Sequence, residues 1–550
     1  MTPGNELLFL ALGGSGEIGM NVNLYGCNGK WLMVDLGMSF ADPYYPGIDL
    51  VFADLEFIEE RAQDLLGIVL THAHEDHIGA VPYFAAELGV PIYATPFTAY
   101  LVRDKLAEAG LLDTIKLIEI EKEGNFSLGP FEIEFVPLAH SIAEGNALII
   151  DTPHGRVFHT GDWKLDEDPL IGLPATAEEL TAIGDEGVLA LVCDSTNVFN
   201  PDPSGSESAV RAGLLEMVGR FDGRRVMVTT FASNVARLQT LGEVATASGR
   251  SLCVAGRSLD RIIRAAQSTG YLLDLPERVD FAEAMRLPRG EVLILATGGQ
   301  GEPRAALARV ASEQHPIKLV EGDVVLFSSR QIPGNEIAIG RIMNQLAARG
   351  IEMVTDRQGQ IHVSGHPGRP ELQALYGWLQ PQILVPVHGE MRHLREQARL
   401  GRAEGIPHAV LQGNGDLVRL APGKPGRIAQ VRSGCLVLDG DIISPADGEA
   451  MAARRRLGAH ALVVVALAVS ANGKVVSAVE VAALGLPLDE DMDTFVAETQ
   501  ADVERGVHAL KGAKGRDREA VREAVRLAAR RAAQRWSGKK PVVQVMLREA

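Results

Sequence analysis

Along residues 1–200, apolar positions form short runs, and several of these runs end at a polar cluster. Short apolar runs bounded by polar or glycine-rich segments are typical of buried strands. Between residues 64 and 136 the strand-like runs alternate with helical segments, which predicts an α/β domain. The predicted strands of this region are residues 7–12, 20–25, 31–34, 67–70, 131–136, 146–151, 156–159 and 188–193.

The glycine-rich run at residues 13–19 contains the spacing G-x-G-x-x-G, which also occurs in dinucleotide-binding turns. Such a turn must open a helix, whereas residues 20–25 alternate between apolar and polar side chains as a strand does. We therefore interpret the run as a glycine turn between two strands.

The composition changes at residues 200–206 (NPDPSGS), a turn-rich junction. Helices and strands then alternate regularly up to residue 348, which predicts an inserted domain with a parallel sheet. Strands return between 350 and 420 with two further histidine clusters, at His366 and His388. The predicted domains are 1–205 and 349–425 for the two parts of the first domain, 206–348 for the insertion, 426–455 for a linker and 456–550 for a C-terminal α+β domain.

The C-terminal region has its own pattern. Residues 461–484 predict two apolar strands around Asn472-Gly473, a dipeptide that favours tight hairpin turns. A helix at 516–536 and a strand at 542–547 complete the predicted domain. The helix is basic, and a solvated face is the simpler interpretation, with an RNA-facing strip or a dimer contact as the alternative. Its basic residues are Arg522, Arg526, Arg530, Arg531 and Arg535.

Composition restricts the class of protein. The chain has 550 residues, 46% hydrophobic and 23% charged, which is typical of a globular protein with more than one domain. Its formal net charge of −18 argues against nucleic-acid binding by bulk charge. The four cysteines form no C-x-x-C pair, and no apolar run approaches the about 20 residues of a membrane helix. We therefore predict a cytoplasmic protein that does not bind membranes, without a signal peptide.

The chemistry centres on residues 71–79 (THAHEDHIG), which follow a predicted strand and precede a predicted helix. On the connecting loop, His72 and His74 can reach one metal, while Asp76 and His77 can turn towards another. Imidazole and carboxylate ligands suit Zn²⁺ and also Mn²⁺. Burying these polar groups without partners costs free energy, and a bound cation would remove that cost.

Other polar residues in or just after predicted strand ends complete two sites, because α/β folds gather their chemistry at such ends. We predict that His72, His74 and His140 hold one metal. The second metal is predicted to be held by Asp76, His77 and His388, with Asp162 bridging both and Asp35 accepting a hydrogen bond from a ligand histidine. Two such metals share a water, generate hydroxide at neutral pH and stabilise an in-line phosphoryl transition state.

The motif H-x-H-x-D-H, followed by His140 and Asp162, resembles the metallo-β-lactamase superfamily. The later motifs at 194–197 (DSTN), 364–366 (SGH) and 387–390 (VHGE) resemble its β-CASP branch, which processes nucleic acids. Within that branch the chain resembles the ribonuclease J family, over residues 7 to about 420. The motifs that carry this resemblance are 13–21 (GGSGEIGMN), 230–234 (TFASN), 297–303 (TGGQGEP) and 327–336 (FSSRQIPGNE).

The resemblance implies a metallo-β-lactamase αββα sandwich with an inserted parallel-sheet β-CASP domain and a small α+β C-terminal domain. It implies 5′-to-3′ exonuclease and endonuclease action on single-stranded RNA, with two Zn²⁺ per chain or Mn²⁺ or Mg²⁺ in their place. It further implies products with a 5′ phosphate, a homodimer or homotetramer, and participation in RNA maturation, decay and RNA-degradation complexes.

The resemblance also implies roles for individual residues. Asp76, His366 and, through a ligand histidine, Asp35 are the catalytic candidates, with His366 as a candidate general acid. Loops rich in glycine and hydroxyl groups suit RNA phosphates, although each such residue can equally serve turn structure. The predicted substrate contacts are Ser364, His366, Ser233, Asn234, Gly298, Gln300, Ser328, Ser329 and Arg330.

Two positions depart from the family pattern. Ala236 stands where a histidine commonly occurs, and Gly299 stands where a serine does. Both lie in the predicted insertion, so they bear on substrate contacts and not on hydrolysis. Two other functions are disfavoured: hydrolysis of a thioester or lactam needs neither the long insertion nor His388, and a non-catalytic RNA-binding scaffold does not explain why every expected metal position is filled. A DNA nuclease of the same branch stays open, since sequence does not identify a 2′-hydroxyl contact.

Overall fold

The computed structural model of the chain describes residues 4–172, 175–331, 334–471 and 474–549. These residues form two compact units. The first unit contains the chain up to Ser39 together with Phe52–Gly434, and the second contains Phe40–Val51 together with the chain from Cys435 onward. No helix within the described ranges is long and apolar enough to cross a membrane.

The first 200 residues contain fourteen of the strands. These are β1 Leu7–Gly13, β2 Ser15–Gly16, β3 Val22–Cys27, β4 Lys30–Val34, β5 Met38–Phe40, β6 Leu50–Ala53, β7 Leu65–Val69, β8 Ile92–Ala94, β9 Leu117–Glu119, β10 Asn125–Leu128, β11 Phe131–Pro137, β12 Asn146–Thr152, β13 Gly155–His159 and β14 Ala190–Asp194. The helices are α1 Glu56–Glu59, α2 Glu75–Ile78, α3 Val81–Leu88, α4 Pro96–Glu108 and α5 Ala177–Asp185.

The insertion follows. Its strands are β15 Val226–Thr229, β16 Ser251–Ala255, β17 Arg278–Val279, β18 Val292–Ala296, β19 Val324–Phe327 and β20 Glu352–Val354. Its helices are α6 Glu207–Gly219, α7 Val235–Ala247, α8 Arg257–Ser268, α9 Phe281–Arg286, α10 Ala306–Ala311 and α11 Glu336–Ala347. The strands form one sheet in the order β17-β16-β18-β15-β19-β20, and all neighbours are parallel, as predicted.

The chain then returns to the first domain. The elements here are α12 Arg369–Leu379, β21 Ile383–Val387, β22 Gly389–Glu390, α13 Met391–Ala403, β23 His408–Ala409, β24 Asp416–Ala421 and β25 Gly426–Gln430. Strand β21 pairs in parallel with β14, so both ends of the insertion leave the same sheet.

Two sheets pack face to face in the first domain. One has the order β25-β24-β1-β3-β4-β7-β8-β9 and the other β10-β11-β12-β13-β14-β21-β23. Phe9 and Tyr25 of the first sheet share one core with Phe131 and Leu148 of the second. Helices α5 and α12 cover the outer side of the second sheet, and α4 contacts β8 and β9 of the first. The predicted αββα sandwich is confirmed.

The second unit contains β26 Cys435–Asp439, β27 Ile442–Pro445, α14 Glu449–His460, β28 Leu462–Val469, β29 Glu480–Leu484, α15 Met492–His508, α16 Ala513–Arg516, α17 Arg518–Ser537 and β30 Val542–Glu549. A three-stranded sheet has the order β29-β28-β30, and β26 pairs with β27 as an antiparallel hairpin. The predicted turn at Asn472-Gly473 lies outside the described residues. Three arginines of α17 have acidic partners, in the pairs Arg522–Glu519, Arg526–Glu523 and Arg535–Asp502.

The segment predicted as a linker, residues 426–455, holds β25, the β26–β27 hairpin and part of α14, and residues 422–425 turn the chain between the antiparallel strands β24 and β25. Two predictions about local structure are wrong. His366 does not follow a strand, since residues 361–368 are irregular. Asp76 and His77 lie on the single-turn helix α2, not on a loop.

Candidate metal centre

The predicted metal ligands lie where strands of the first domain end. Residues 71–77 follow β7, Asp162 follows β13 and His388 follows β21 directly. Strands β4 and β7 are parallel neighbours, and so are β13, β14 and β21, so the carboxyl ends of each set meet at one edge of a sheet. His140 lies shortly after the end of β11.

His72, His74, His140 and Asp162 form a first group of side chains that could hold a metal ion. The Nδ1 atom of His74 lies 3.1 Å from Nε2 of His72 and 3.1 Å from Nε2 of His140. Burial lowers the pKa of His74 to about 3, and it also lowers the pKa of His72 and His140 well below the ordinary value. All three rings are therefore neutral at pH 7, so each carries a single N–H.

A hydrogen-bond acceptor outside the group fixes that N–H in each of the three rings. The acceptors are Thr71 Oγ1 at 3.0 Å from His72 Nδ1, Ser233 Oγ at 2.9 Å from His74 Nε2, and the Gly365 carbonyl at 2.6 Å from His140 Nδ1. The three nitrogens that face one another therefore carry lone pairs. A cation shared by converging lone pairs stabilises them in a buried space, so this geometry fits a metal ion.

Asp76, His77, Asp162 and His388 form a second group. The Asp162 Oδ2 atom lies 3.3 Å from Nε2 of both His77 and His388. Burial opposes ionisation of Asp162, but the two imidazoles hold its pKa well below the ordinary value. Its other oxygen, Oδ1, is buried and has no hydrogen-bond partner among the described residues, as expected of a carboxylate oxygen placed to bind a cation.

Side chains outside the second group orient its rings. His77 donates from Nδ1 to Asp35 Oδ2 at 2.7 Å, and Thr71 also donates to Asp35. The Nδ1 atom of His388 lies 2.9 Å from Nδ2 and 3.1 Å from Oδ1 of Asn21, so the side-chain amide of Asn21 orients this ring. Asp35 thus accepts a hydrogen bond from a candidate ligand, as the sequence predicted. Asn21, two residues after the glycine-rich run, belongs to the family motif 13–21 but was given no role from the sequence.

The backbone around these groups is strained. Asp35 and His388 adopt left-handed conformations, with φ of 64° and 50°. Non-glycine residues in this region persist only where the surrounding structure holds them, typically at functional sites. A Cβ at Gly37 would overlap the Asp76 carbonyl oxygen, so only glycine allows this loop to approach α2. The two groups are compatible with a metal-binding site.

His366 lies beside both groups. Its ring centroid is 5.2 Å from that of His140 and 5.6 Å from that of His388. Its Nδ1 atom lies 2.7 Å from Oδ2 of Asp194. Burial opposes protonation of His366, but the Asp194 carboxylate outweighs it and raises the pKa to about 9. His366 can therefore donate a proton at neutral pH. The sequence showed Asp194 at a strand end without indicating this role.

Comparison with known proteins covers the whole chain. Residues 18–209 match the metallo-beta-lactamase superfamily, and residues 223–346 match the family "Ribonuclease J, beta-CASP domain". Residues 351–411 match the "Zn-dependent metallo-hydrolase RNA specificity domain", and residues 449–550 match the "Ribonuclease J C-terminal domain". A ribonuclease J from Sinorhizobium meliloti is 41% identical over 553 residues, which cover 100% of this chain and 98% of the relative.

The chain belongs to the ribonuclease J family. Relatives from Mycolicibacterium smegmatis and Thermus thermophilus are 40% and 35% identical, cover 80% and 84% of this chain, and are covered over 79% and 82% of their own length. A crystal structure of a protein of unknown function from Enterococcus faecalis V583 has a TM-score of 0.53 at 16% identity, covering 75% of this chain and 100% of its own, and supports the fold alone. Family membership makes the chain a metal-dependent RNA hydrolase with RNA as its substrate.

The predicted substrate contacts separate into two sets. Ser364, His366 and Ser233 are only partly buried, and Arg330 is exposed, so these four have some solvent-accessible surface. Asn234, Gly298, Gln300, Ser328 and Ser329 form the buried set.

Most side chains of the buried set serve local structure. Asn234 Oδ1 accepts from the backbone N–H of Arg237 at the start of α7, and Ser328 Oγ donates to the Ile361 carbonyl. Gln300 donates to the Arg330 carbonyl, whereas Ser329 Oγ has no partner among the described residues. Substrate contact by this set stays a prediction.

The two family departures lie at different places in the insertion. Ala236 lines a cavity of about 380 Å³ together with His140, Lys164, Glu207 and Tyr271. A Cβ at Gly299 would approach Ser329 Oγ to 2.5 Å. His159, which lies close to the site in sequence, bonds to Tyr25 Oη at 2.8 Å instead of to a candidate ligand.

Proposed function

We propose that the protein degrades single-stranded RNA from the 5′ end and also cuts it internally, with two divalent metal ions and 5′-phosphate products. The observation that carries this proposal is the arrangement of two His/Asp groups that share Asp162 beside His366. Zinc is the proposed metal, with Mn²⁺ or Mg²⁺ as substitutes, because imidazole and carboxylate donors suit these ions. RNA maturation and decay in the cytoplasm are the proposed cellular roles.

We propose that His72, His74 and His140 hold one metal ion. Asp76, His77 and His388 are assigned to the second ion, and Asp162 to both. When bound, these ions supply an activated water and compensate the charge that develops on the phosphoryl group. The inward-facing lone pairs and the unpartnered Oδ1 of Asp162 support the assignment.

The remaining residues act on orientation and on proton transfer. Asp35 fixes the His77 ring, and Asp194 keeps His366 protonated. Water attacks phosphorus and releases a proton to solvent, the bond from phosphorus to O3′ breaks, and His366 gives its proton to the departing 3′ oxygen. The phosphate stays on the 5′ end of the downstream product. Asn197 donates to Ser364 Oγ at 2.7 Å and so holds that hydroxyl near the scissile phosphate.

We also propose a homodimer or homotetramer that can join an RNA-degradation complex. Leu484 on β29 and Met546 on β30 are 67% and 57% exposed, and apolar side chains on a small sheet favour contact with a second copy. Light scattering on the full chain tests this proposal, and a mass equal to one chain at micromolar concentration would contradict it.

A time course on end-labelled single-stranded RNA tests the proposed activity. RNA with a 5′ monophosphate is compared with the same RNA carrying a 5′ triphosphate and with a DNA copy, in Zn²⁺ or Mn²⁺ and with a chelator control. We expect mononucleotide release that is faster on the monophosphate and absent with chelator, together with internal cuts. Cleavage of DNA alone, or no cleavage by metal-loaded protein, would overturn the proposal.

A further inference from the structure

We propose that Ser233 of the inserted domain is a positioning residue for His74 and couples the placement of that domain to metal binding in the first group. The inference rests on the proposed metal-binding function. It assigns Ser233 a role in addition to the RNA contact predicted from the sequence.

The geometry of the Ser233 hydroxyl carries the proposal. Its Oγ atom lies 2.9 Å from Nε2 of His74, although 159 positions separate the two residues in the chain. His74 faces His72 and His140 with Nδ1, so its proton is on Nε2 and is donated to Ser233. The acceptor that orients His74 therefore comes from a different domain. The acceptor for His72, by contrast, is the hydroxyl of its neighbour in sequence, Thr71.

Ser233 is tied to the frame of the inserted domain. Strand β15 ends at Thr229, and helix α7 begins directly after Asn234, whose side chain accepts from Arg237 N at 2.9 Å and donates to Glu207 at 3.1 Å. Arg237 is fully buried, binds Glu207 through two nitrogens and donates to the Ile361 carbonyl. Glu207 lies near the point where the chain enters the inserted domain, and Ile361 lies near the point where the chain returns to the first domain. A shift of the inserted domain therefore moves Ser233.

The consequence for metal binding follows from the lost acceptor. Without the Ser233 hydroxyl, the His74 Nε2–H loses its partner and the ring can rotate, so Nδ1 is no longer held towards the group. Removing such an outer partner of a metal ligand typically weakens metal binding about 10- to 100-fold. By thermodynamic linkage, a metal in the first group must favour the docked position of the inserted domain by the same factor.

The hydroxyl retains a proton while it accepts from His74. That proton can be donated to a phosphate oxygen of RNA, so the predicted RNA contact and the contact with His74 are compatible. RNA that spans the two domains is expected to tighten metal binding, because both interactions favour one placement of Ser233.

Zinc affinity of the full-length, metal-stripped protein tests the positioning role by competition with a chromogenic chelator. We expect Ser233→Ala to weaken one class of site by about 10- to 100-fold, while Ser233→Thr, which keeps the hydroxyl, stays within about threefold of wild type. The matched control is Ser312→Ala, which removes a hydroxyl of the inserted domain that donates to the Ala308 carbonyl. Its zinc affinity is expected to be unchanged.

Hydrogen exchange over residues 230–234 tests the coupling. Zinc should slow exchange of these amides in the wild type and in Ser312→Ala, and this effect should be lost in Ser233→Ala. If Ser233→Ala binds zinc like wild type, or loses affinity while zinc still slows exchange, the coupling is overturned. His74→Ala separates the two hypotheses, because unchanged zinc binding in that variant would instead overturn the metal site itself.

Discussion

The Nδ1 atom of His366 lies 2.7 Å from Oδ2 of Asp194, a fully buried carboxylate at the end of β14. Burial alone would keep His366 neutral, but this carboxylate, with smaller contributions from Asp162 and Asp76, raises its pKa to about 9. Bound metal ions act in the opposite direction, since positive charges disfavour the imidazolium. The charge on Asp194 is therefore what keeps a proton available for the leaving oxygen.

Replacing Asp194 by asparagine removes that charge. The pKa of His366 falls, so the protonated form disappears at a lower pH, and the basic limb of kcat/KM for RNA cleavage should move down by about one to three pH units. Rates measured from pH 6 to 10 check this shift. Asp168→Asn, at an exposed aspartate, is the control and should leave the limb in place. Coincident profiles for wild type and Asp194→Asn would exclude His366 as the acid.

Substitution of His388 and of His366 should separate metal binding from proton transfer. His388 faces Asp162 with Nε2 at 3.3 Å, so His388→Ala should lose metal from the second group and most cleavage activity. His366→Ala should keep the wild-type metal content and lose about 10²- to 10⁴-fold in rate, the usual contribution of a general acid. Metal analysis alongside cleavage rates gives both readouts. Loss of metal in His366→Ala would instead make His366 a ligand.

The strands and the polar clusters at their ends were predictable because each depends on local sequence. Short apolar runs identify β4, β7, β13 and β14, and the parallel pairing of β4 with β7 and of β13 with β14 brings the residues after them to one edge of each sheet. The prediction that His366 follows a strand was wrong, because residues 361–368 form no strand. Hydrogen bonds hold His366 instead, including its own backbone N–H to Ser364 Oγ at 3.0 Å.

Local sequence patterns did not predict most of the hydrogen-bond partners that orient the candidate ligands. Asn21 and His388 are 367 positions apart, and Ser233 and His74 are 159 apart. Such pairs depend on how the domains pack, which one sequence does not determine. Asp35 was the exception, since an aspartate directly after a strand end indicates that it lies at the site.

Replacing Gly299 by serine, the residue common at this position in the family, tests what the glycine changes. Thr229 Oγ1 and Ser329 Oγ are buried and have no hydrogen-bond partner among the described residues, and a Cβ at position 299 would approach them to 3.3 Å and 2.5 Å. Once Ser329 has changed rotamer to make room for the new Cβ, Gly299→Ser should give both hydroxyls a partner and stabilise the inserted domain by about 1 kcal/mol. Gly299→Ala adds the same Cβ without the hydroxyl and should be less stable than Gly299→Ser. Calorimetric unfolding midpoints check the order, and equal midpoints would exclude the hydrogen bonds.

The fully buried ion pair between Arg237 and Glu207 should control the stability of the inserted domain. Arg237→Met leaves the Glu207 carboxylate buried without its partner, and breaking such a pair costs about 3–5 kcal/mol. Native-state hydrogen exchange of the β15 and β18 amides measures this loss. Arg220→Ala is the control, because the Arg220–Glu216 pair on α6 is exposed and such pairs contribute at most about 1 kcal/mol.

The double variant Glu207→Met with Arg237→Met distinguishes the charge from the packing. With both charges gone, no ion stays buried, so the double variant should recover most of the stability lost in Arg237→Met. The hydrogen bonds from Arg237 to Ser328 and Ile361 are also lost, as is the one from Asn234 to Glu207, and their share of the free energy of unfolding is what the double variant should fail to recover. If the double variant is no more stable than Arg237→Met, those hydrogen bonds, and not the ion pair, hold the domain.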